Sequence, residues 1–151
     1  MPVLRTLFWG SLGAIAWTHV GYPLAAIAAS RLRPRPVRAD PDSTPTVSVI
    51  VAAHDEEPVI ERRLANLLAL DYPPERLEIV VASDASTDGT NELVEAVSAH
   101  EPRVRLLDCP RGGKVAAQDR AVRETSSEVV AFSDANATWA PDALRRLVAN
   151  L

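Results

Sequence analysis

Four short β-rich runs, each followed by a helical pattern, fill residues 46–151 and leave few folds open to this chain. The first, Thr46–Ala53, contains Val47-Ser48-Val49-Ile50-Val51; the others are Leu77–Val81, Val104–Leu107 and Val129–Phe132. After the first run, Ile60, Leu64, Leu67 and Leu68 recur at helical spacing. Pro58 suits the first turn of that helix, and Tyr72-Pro73-Pro74 stops it. Ser86-Thr87-Asp88-Gly89-Thr90 feeds a second helix striped by Leu93, Val94 and Val97. Arg111-Gly112-Gly113-Lys114 opens a third that runs to about Glu124, and a fourth starts at Pro141 with Leu144, Leu147 and Val148 on one face. Strands that are apolar throughout belong in a largely parallel sheet with both faces covered. The expected fold is therefore α/β, a three-layer sandwich.

In such sheets ligands bind beyond the carboxyl ends of the strands, near a switch in strand order. Polar clusters stand at those ends: His54–Glu57, Ser83–Asp88 and Ser133–Asn136 each follow a strand. Asp84, at a strand end, suits hydrogen bonding to a base or sugar edge. Asp88 and Gly89 read instead as a turn that caps the following helix. In extended backbone the side chains of Asp134 and Asn136 project to the same side, so both reach one cation. Mg²⁺ and Mn²⁺ take such oxygen ligands, although D-x-N is also a common turn sequence. Gly112-Gly113-Lys114 fits a diphosphate near a helix N-terminus or simply a flexible loop. It lacks the rest of G-x-x-x-x-G-K-[ST], and G-x-G-x-x-G occurs nowhere.

Charge divides the chain. Residues 1–42 hold five arginines against two aspartates, a net of +3, and the overall −4 leaves −7 for residues 43–151. An acidic body argues against nucleic acid as a partner, because phosphate backbones are bound through clustered Lys and Arg. The single cysteine, Cys109, excludes an internal disulfide and suits a reducing compartment. It follows an apolar run and precedes Pro110, so a packing role is expected.

No charged residue lies between Thr6 and Ser30. As a helix those residues span about 37 Å at 1.5 Å each, enough to cross a hydrocarbon core of roughly 30 Å. A cleaved signal peptide is the rival reading, but the apolar region is long for one and the arginines after it resist export. The expected organisation is a membrane anchor over residues 1–31, an Arg/Pro-rich linker over 32–45 and a ligand-binding domain over 46–151. Arg31, Arg33, Arg35 and Arg38 follow the span and only Arg5 precedes it. The positive-inside rule then puts the domain on the cytoplasmic side of a cell inner membrane, crossed once, with membrane lipid as a partner.

Taken in order, Val47–Glu57, Glu78–Thr90, Gly112-Gly113-Lys114 and Phe132–Asp142 resemble the family-2 glycosyltransferases of GT-A fold, a Rossmann-like arrangement. His19-Val20-Gly21-Tyr22-Pro23-Leu24 is similar to the N-terminal helix of membrane-bound members. The resemblance implies an inverting transfer of sugar from a nucleoside diphosphate donor, often a UDP-sugar, to a glycan or lipid. By that likeness Ala53, His54, Glu56 and Asp84 hold the nucleoside, Lys114 lies by the diphosphate, and Asp134 and Asn136 occupy the family's D-x-D position, which handles ribose and a Mg²⁺ or Mn²⁺ ion.

The chain departs from the family pattern at several of these places. His54-Asp55 replaces a tyrosine-asparagine pair, Ser83 an aspartate, Asp119 an asparagine, and Asn136 the final aspartate of D-x-D. The last exchange weakens the hold on a hard cation. The family's acidic general base, its Q-x-x-R-W motif and its further membrane helices are expected beyond Leu151, where the helical pattern stops without a cap. The sequence therefore reads as a truncated donor half that transfers little by itself, with a separately encoded C-terminal half as a candidate partner. The alternative is a catalytically inactive, membrane-tethered nucleotide-sugar-binding module.

Overall fold

A computed structural model describes residues 2–33 and 39–151, which fall into two compact units divided after Arg38. Residues 34–38, the centre of the expected linker with Arg35 and Arg38, lie outside the described residues.

The first unit is one helix, Pro2–Leu32, long and apolar enough to cross a membrane. It comprises α1 (Pro2–Ala16), a π-helical turn (Trp17–Gly21) and α2 (Tyr22–Leu32). The wide turn, closed by Tyr22 N–H on the Trp17 carbonyl, stands just ahead of Pro23. Proline in a regular helix clashes with the carbonyl four residues back, and a π turn there relieves the clash. Three polar side chains of the span donate to or meet carbonyls one turn back: Thr18 Oγ1 to Ala14 at 2.9 Å, His19 Nδ1 with Ile15 at 3.0 Å, and Ser30 Oγ to Ile27 at 2.8 Å. Such internal satisfaction is what lets hydroxyl and imidazole groups lie in hydrocarbon.

The second unit, from Ala39, is a parallel four-stranded sheet in the order β3-β2-β1-β4. The strands are β1 (Val47–Ala53), β2 (Leu77–Asp84), β3 (Val104–Cys109) and β4 (Val129–Asp134). Helices α3 (Glu57–Leu68), α4 (Thr90–Ser98), α5 (Lys114–Arg123) and α6 (Ala143–Val148) connect and follow them. On one face Val49, Val51, Ile79 and Val81 pack with Ile60, Leu64 and Leu67 of α3, Val94 of α4, and Leu144 and Val148 of α6. On the other, Ile50, Val80, Ala82 and Leu107 meet Ala117 and Ala121 of α5, whose small side chains let that helix lie close. Both faces are covered along β1 and β2, as their all-apolar runs require, whereas the edge strand β4 is only half-buried and Phe132 is 52% exposed.

Three strands run further than their apolar stretches. β2, β3 and β4 continue through Ser83-Asp84, Asp108-Cys109 and Ser133-Asp134, held by pairing with neighbours: Ala53 is level with Ser83, Asp84 with Cys109, and Ala52 with Asp134. Cys109 is buried, and burial pushes its thiol up, in keeping with a packing role. The segment 40–45, read as part of the linker, lies against the domain. Asp40 N–H donates to the Ala149 carbonyl at 2.8 Å, and the Tyr72 hydroxyl donates to the Pro45 carbonyl at 2.6 Å.

Candidate functional site

The strand order turns back between β1 and β4, because β1, β2 and β3 step outward one way while β4 lies on the other side of β1. Beyond the carboxyl ends at this switch lie His54–Glu56 after β1, Ala85–Gly89 after β2, Pro110–Gly113 after β3 and Ala135–Pro141 after β4. Four groups of side chains build the site there.

The first two loops are stitched together by their acids. Asp55, in left-handed backbone at φ 55°, accepts from Thr87 N–H at 2.7 Å, and Asp88 accepts from Glu57 N–H at 3.1 Å. Glu57 accepts in return from Gly89 N–H at 3.0 Å, and Glu56 N–H donates to Thr90 Oγ1 at 2.8 Å. A Cβ on Gly89 would stand 2.9 Å from the Glu57 carboxyl carbon, so a side chain there would push that carboxylate aside. The Thr87 N–H holds the Asp55 carboxyl below the usual range, and the Thr90 hydroxyl does the same for Asp88. These acids form a frame, which agrees with reading Asp88 and Gly89 as a turn.

Asp84 joins β2 to the loop after β3. Its carboxylate accepts from Gly112 N–H at 2.7 Å and from Gly113 N–H at 3.0 Å, with Arg111 Nε 3.7 Å away. Those N–H groups stand at the start of α5, where a carboxylate is favoured. The Gly112 bond first, then that of Gly113 and the nearby Arg111, hold its carboxyl below the usual range. The sequence puts Asp84 at the rim of an open crevice; here it is 5% exposed, and the Gly-Gly loop covers it. Gly113 has φ 85° and ψ 162°, a region open in practice only to glycine. Arg111, which the sequence offers only as part of a loop, also touches the His54 ring.

Lys114, the first residue of α5, donates a hydrogen bond to the Asp134 carboxylate across the switch. Both side chains are more than half exposed. The triplet Asp134-Ala135-Asn136 is not extended, as its spacing suggests. β4 ends at Asp134, and the Asp134 carbonyl accepts from Ala137 N–H at 3.2 Å, closing a turn. Ala135 is buried at 3% exposure while Asp134 and Asn136 on either side of it are both exposed.

Two of the expected nucleoside residues sit differently from one another. Ala53 is buried, so only its main chain can face a ligand, whereas His54 is about a third exposed. Glu56 is half-buried beside them. Among the described residues no three His, Cys, Asp or Glu side chains converge on one point. One carboxylate and one amide fit Mg²⁺ or Mn²⁺ when substrate phosphates complete the shell, the usual habit of these ions.

A family model described as glycosyl transferase family 2 matches residues 48–151. A beta-monoglucosyldiacylglycerol synthase from Nostoc sp. is 32% identical over 149 residues, covering 96% of this chain and 32% of that protein. Its Synechocystis namesake is 31% identical over 151 residues, covering 93% and 31%. Among solved structures, a mannosyltransferase from Pyrobaculum calidifontis in complex with GDP-Man and Mn²⁺ superposes with a TM-score of 0.77 at 36% identity, covering 91% of this chain and 42% of that one. TarS of S. aureus in complex with UDP-GlcNAc gives 0.61 at 28% identity, covering 68% and 30%. The chain thus spans about a third of the length of these curated relatives.

Proposed function

The chain belongs to glycosyltransferase family 2, and from that premise we propose that residues 46–151 hold the nucleoside diphosphate of a sugar donor at the switch between β1 and β4. The observation that carries this is the contact of Lys114 with Asp134, an ammonium at the start of α5 against a carboxylate at the end of β4, with the exposed amide Asn136 two residues further on. Lys114 is the group that approaches the diphosphate, drawn to its charge in competition with Asp134. Asp134 and Asn136 would hold the Mg²⁺ or Mn²⁺ ion. That ion supplies charge neutralisation for the departing diphosphate.

The remaining residues orient and enclose. The Ala53 main chain, His54 and Glu56 take the nucleoside side. Asp84, covered by the Gly-Gly loop, serves the nucleoside side through that loop: by holding Gly112 and Gly113 it fixes where Lys114 starts. As charge grows on the leaving diphosphate, Lys114 stabilises it electrostatically, which lowers the barrier because that charge is greater in the transition state than in the bound donor. Inversion follows if the acceptor hydroxyl attacks from the side opposite the diphosphate.

We take the donor to be a UDP-sugar and the acceptor to be a lipid or a glycan at the membrane surface. The names of the glucosyldiacylglycerol relatives support the lipid, and the single apolar helix supports the surface. Arg31, Arg33, Arg35 and Arg38 favour a cytoplasmic domain at an inner membrane, with residues 1–31 as anchor and 32–45 as linker. Titration calorimetry of the full chain in nanodiscs with UDP-glucose, UDP-GlcNAc and GDP-mannose, with Mn²⁺ and without, tests the donor site. Binding of one donor that strengthens with Mn²⁺ is expected. Heat from none of them would sink the reading.

A further inference from the structure

Arg63 is a charged side chain in the wrong place for a charge. It lies on the inner stripe of α3, three residues after Ile60 and four before Leu67, and is 1% exposed. Among the described residues it has no carboxylate partner. Its Nη2 donates to Ser133 Oγ at 2.6 Å and its Nη1 to Asn66 Oδ1 at 2.6 Å, and its guanidinium carbon lies 5.1 Å from the centre of the Trp139 ring. Its Nε is buried with no hydrogen-bond partner. Asn66 completes the arrangement: Oδ1 accepts from Trp139 N–H and Nδ2 donates to the Trp139 carbonyl, both at 2.9 Å.

These contacts grip one short segment at both ends. Ser133 begins it, Trp139 ends it, and between them lie Asp134 and Asn136, displayed outward on either side of the buried Ala135. A guanidinium taken out of water without a carboxylate is costly to bury, and an apolar side chain of similar volume commonly serves stability as well or better. The orphaned Nε adds to that cost. A residue that only stiffened the core would therefore be better uncharged. What the guanidinium does that an apolar chain cannot is hold Ser133 Oγ, order Asn66 and stack on Trp139 at once, in one planar fork.

We infer that Arg63 is a positioning residue for the donor site: it fixes the Ser133–Trp139 turn so that Asp134 and Asn136 present their oxygens together. This rests on the donor-site reading above for what the turn holds, but not for how the turn is held.

The test compares wild type, Arg63→Met, Arg63→Lys and Asp134→Ala, each as the full chain in nanodiscs. Hydrogen exchange of residues 134–139 is read without ligand, and UDP and GDP affinity is read with Mn²⁺. In Arg63→Met the sheet keeps its protection, exchange across 134–139 rises about tenfold, and the Mn²⁺-nucleotide Kd rises about tenfold. Arg63→Lys recovers part of both. Unchanged exchange in Arg63→Met overturns the inference, and so does raised exchange with an unaltered Kd. Should Arg63→Met fail to fold, Arg63→Gln, which keeps polar reach without the charge, carries the same two readouts. If wild type binds neither nucleotide, the donor-site reading falls, and exchange alone decides whether Arg63 holds the turn.

Discussion

Gly113 and Asp84 show how single residues set this site. At φ 85° and ψ 162° Gly113 has open space where a Cβ would go, so only backbone conformation opposes a side chain. Gly113→Ala is expected to cost about 1–3 kcal/mol, measured by urea unfolding of the domain. Asp84 brings pH into play. Its carboxyl is held below the usual range in the folded state, so its contribution is present above the unfolded value of about 3.9. That contribution is lost as pH falls through the lower, folded value. Asp84→Asn should therefore flatten the fall of stability with acid below about pH 4, checked by unfolding midpoints across the acid range; an unchanged acid limb would count against the Gly112 and Gly113 contacts. The sequence makes Asp84 and Gly-Gly-Lys visible as separate signals. That they bind each other was not visible, because it depends on β2 and β3 being neighbours at matching height.

At the scale of elements, the strands were legible because burial on both faces demands unbroken apolar runs. Their polar ends were legible as clusters at strand ends but not as paired strand, since Ser83-Asp84 and Ser133-Asp134 break that pattern and are held by the ladder. α3 was legible through Ile60, Leu64 and Leu67, and the same stripe held a signal left unread: Arg63 falls within it at helical spacing. The turn at Ala135-Asn136 was one of two readings the sequence left open, since spacing alone does not distinguish a strand end from a turn. Leu64 is 1% exposed where α3 meets β1 and β2. Leu64→Ala is expected to cost about 2–5 kcal/mol, with a fall in the urea midpoint and no change in the slope. A loss under about 1 kcal/mol would mean that α3 is not anchored through this residue.

The whole molecule joins an apolar helix to an acidic domain, and the charge difference between residues 1–42 and 43–151 follows that division. If the positive-inside reading holds, protease added to sealed, inverted inner-membrane vesicles should digest the domain. Protection of the domain until detergent is added would reverse the orientation. The proposed donor site lies at the edge where Lys114 of α5 reaches Asp134 of β4. There Lys114 and Asp134 are already paired, Asn136 stands one turn residue further on, and a nucleoside diphosphate with its cation would take the place between them. Electron paramagnetic resonance of free Mn²⁺, titrated with the full chain with and without UDP or GDP, measures this directly. The expected result is nucleotide-dependent loss of the free Mn²⁺ signal, weakened at least tenfold in Asp134→Ala and strengthened in Asn136→Asp, where a second carboxylate binds the hard cation more firmly. Nucleotide-dependent Mn²⁺ uptake that is the same in wild type and Asp134→Ala would contradict it.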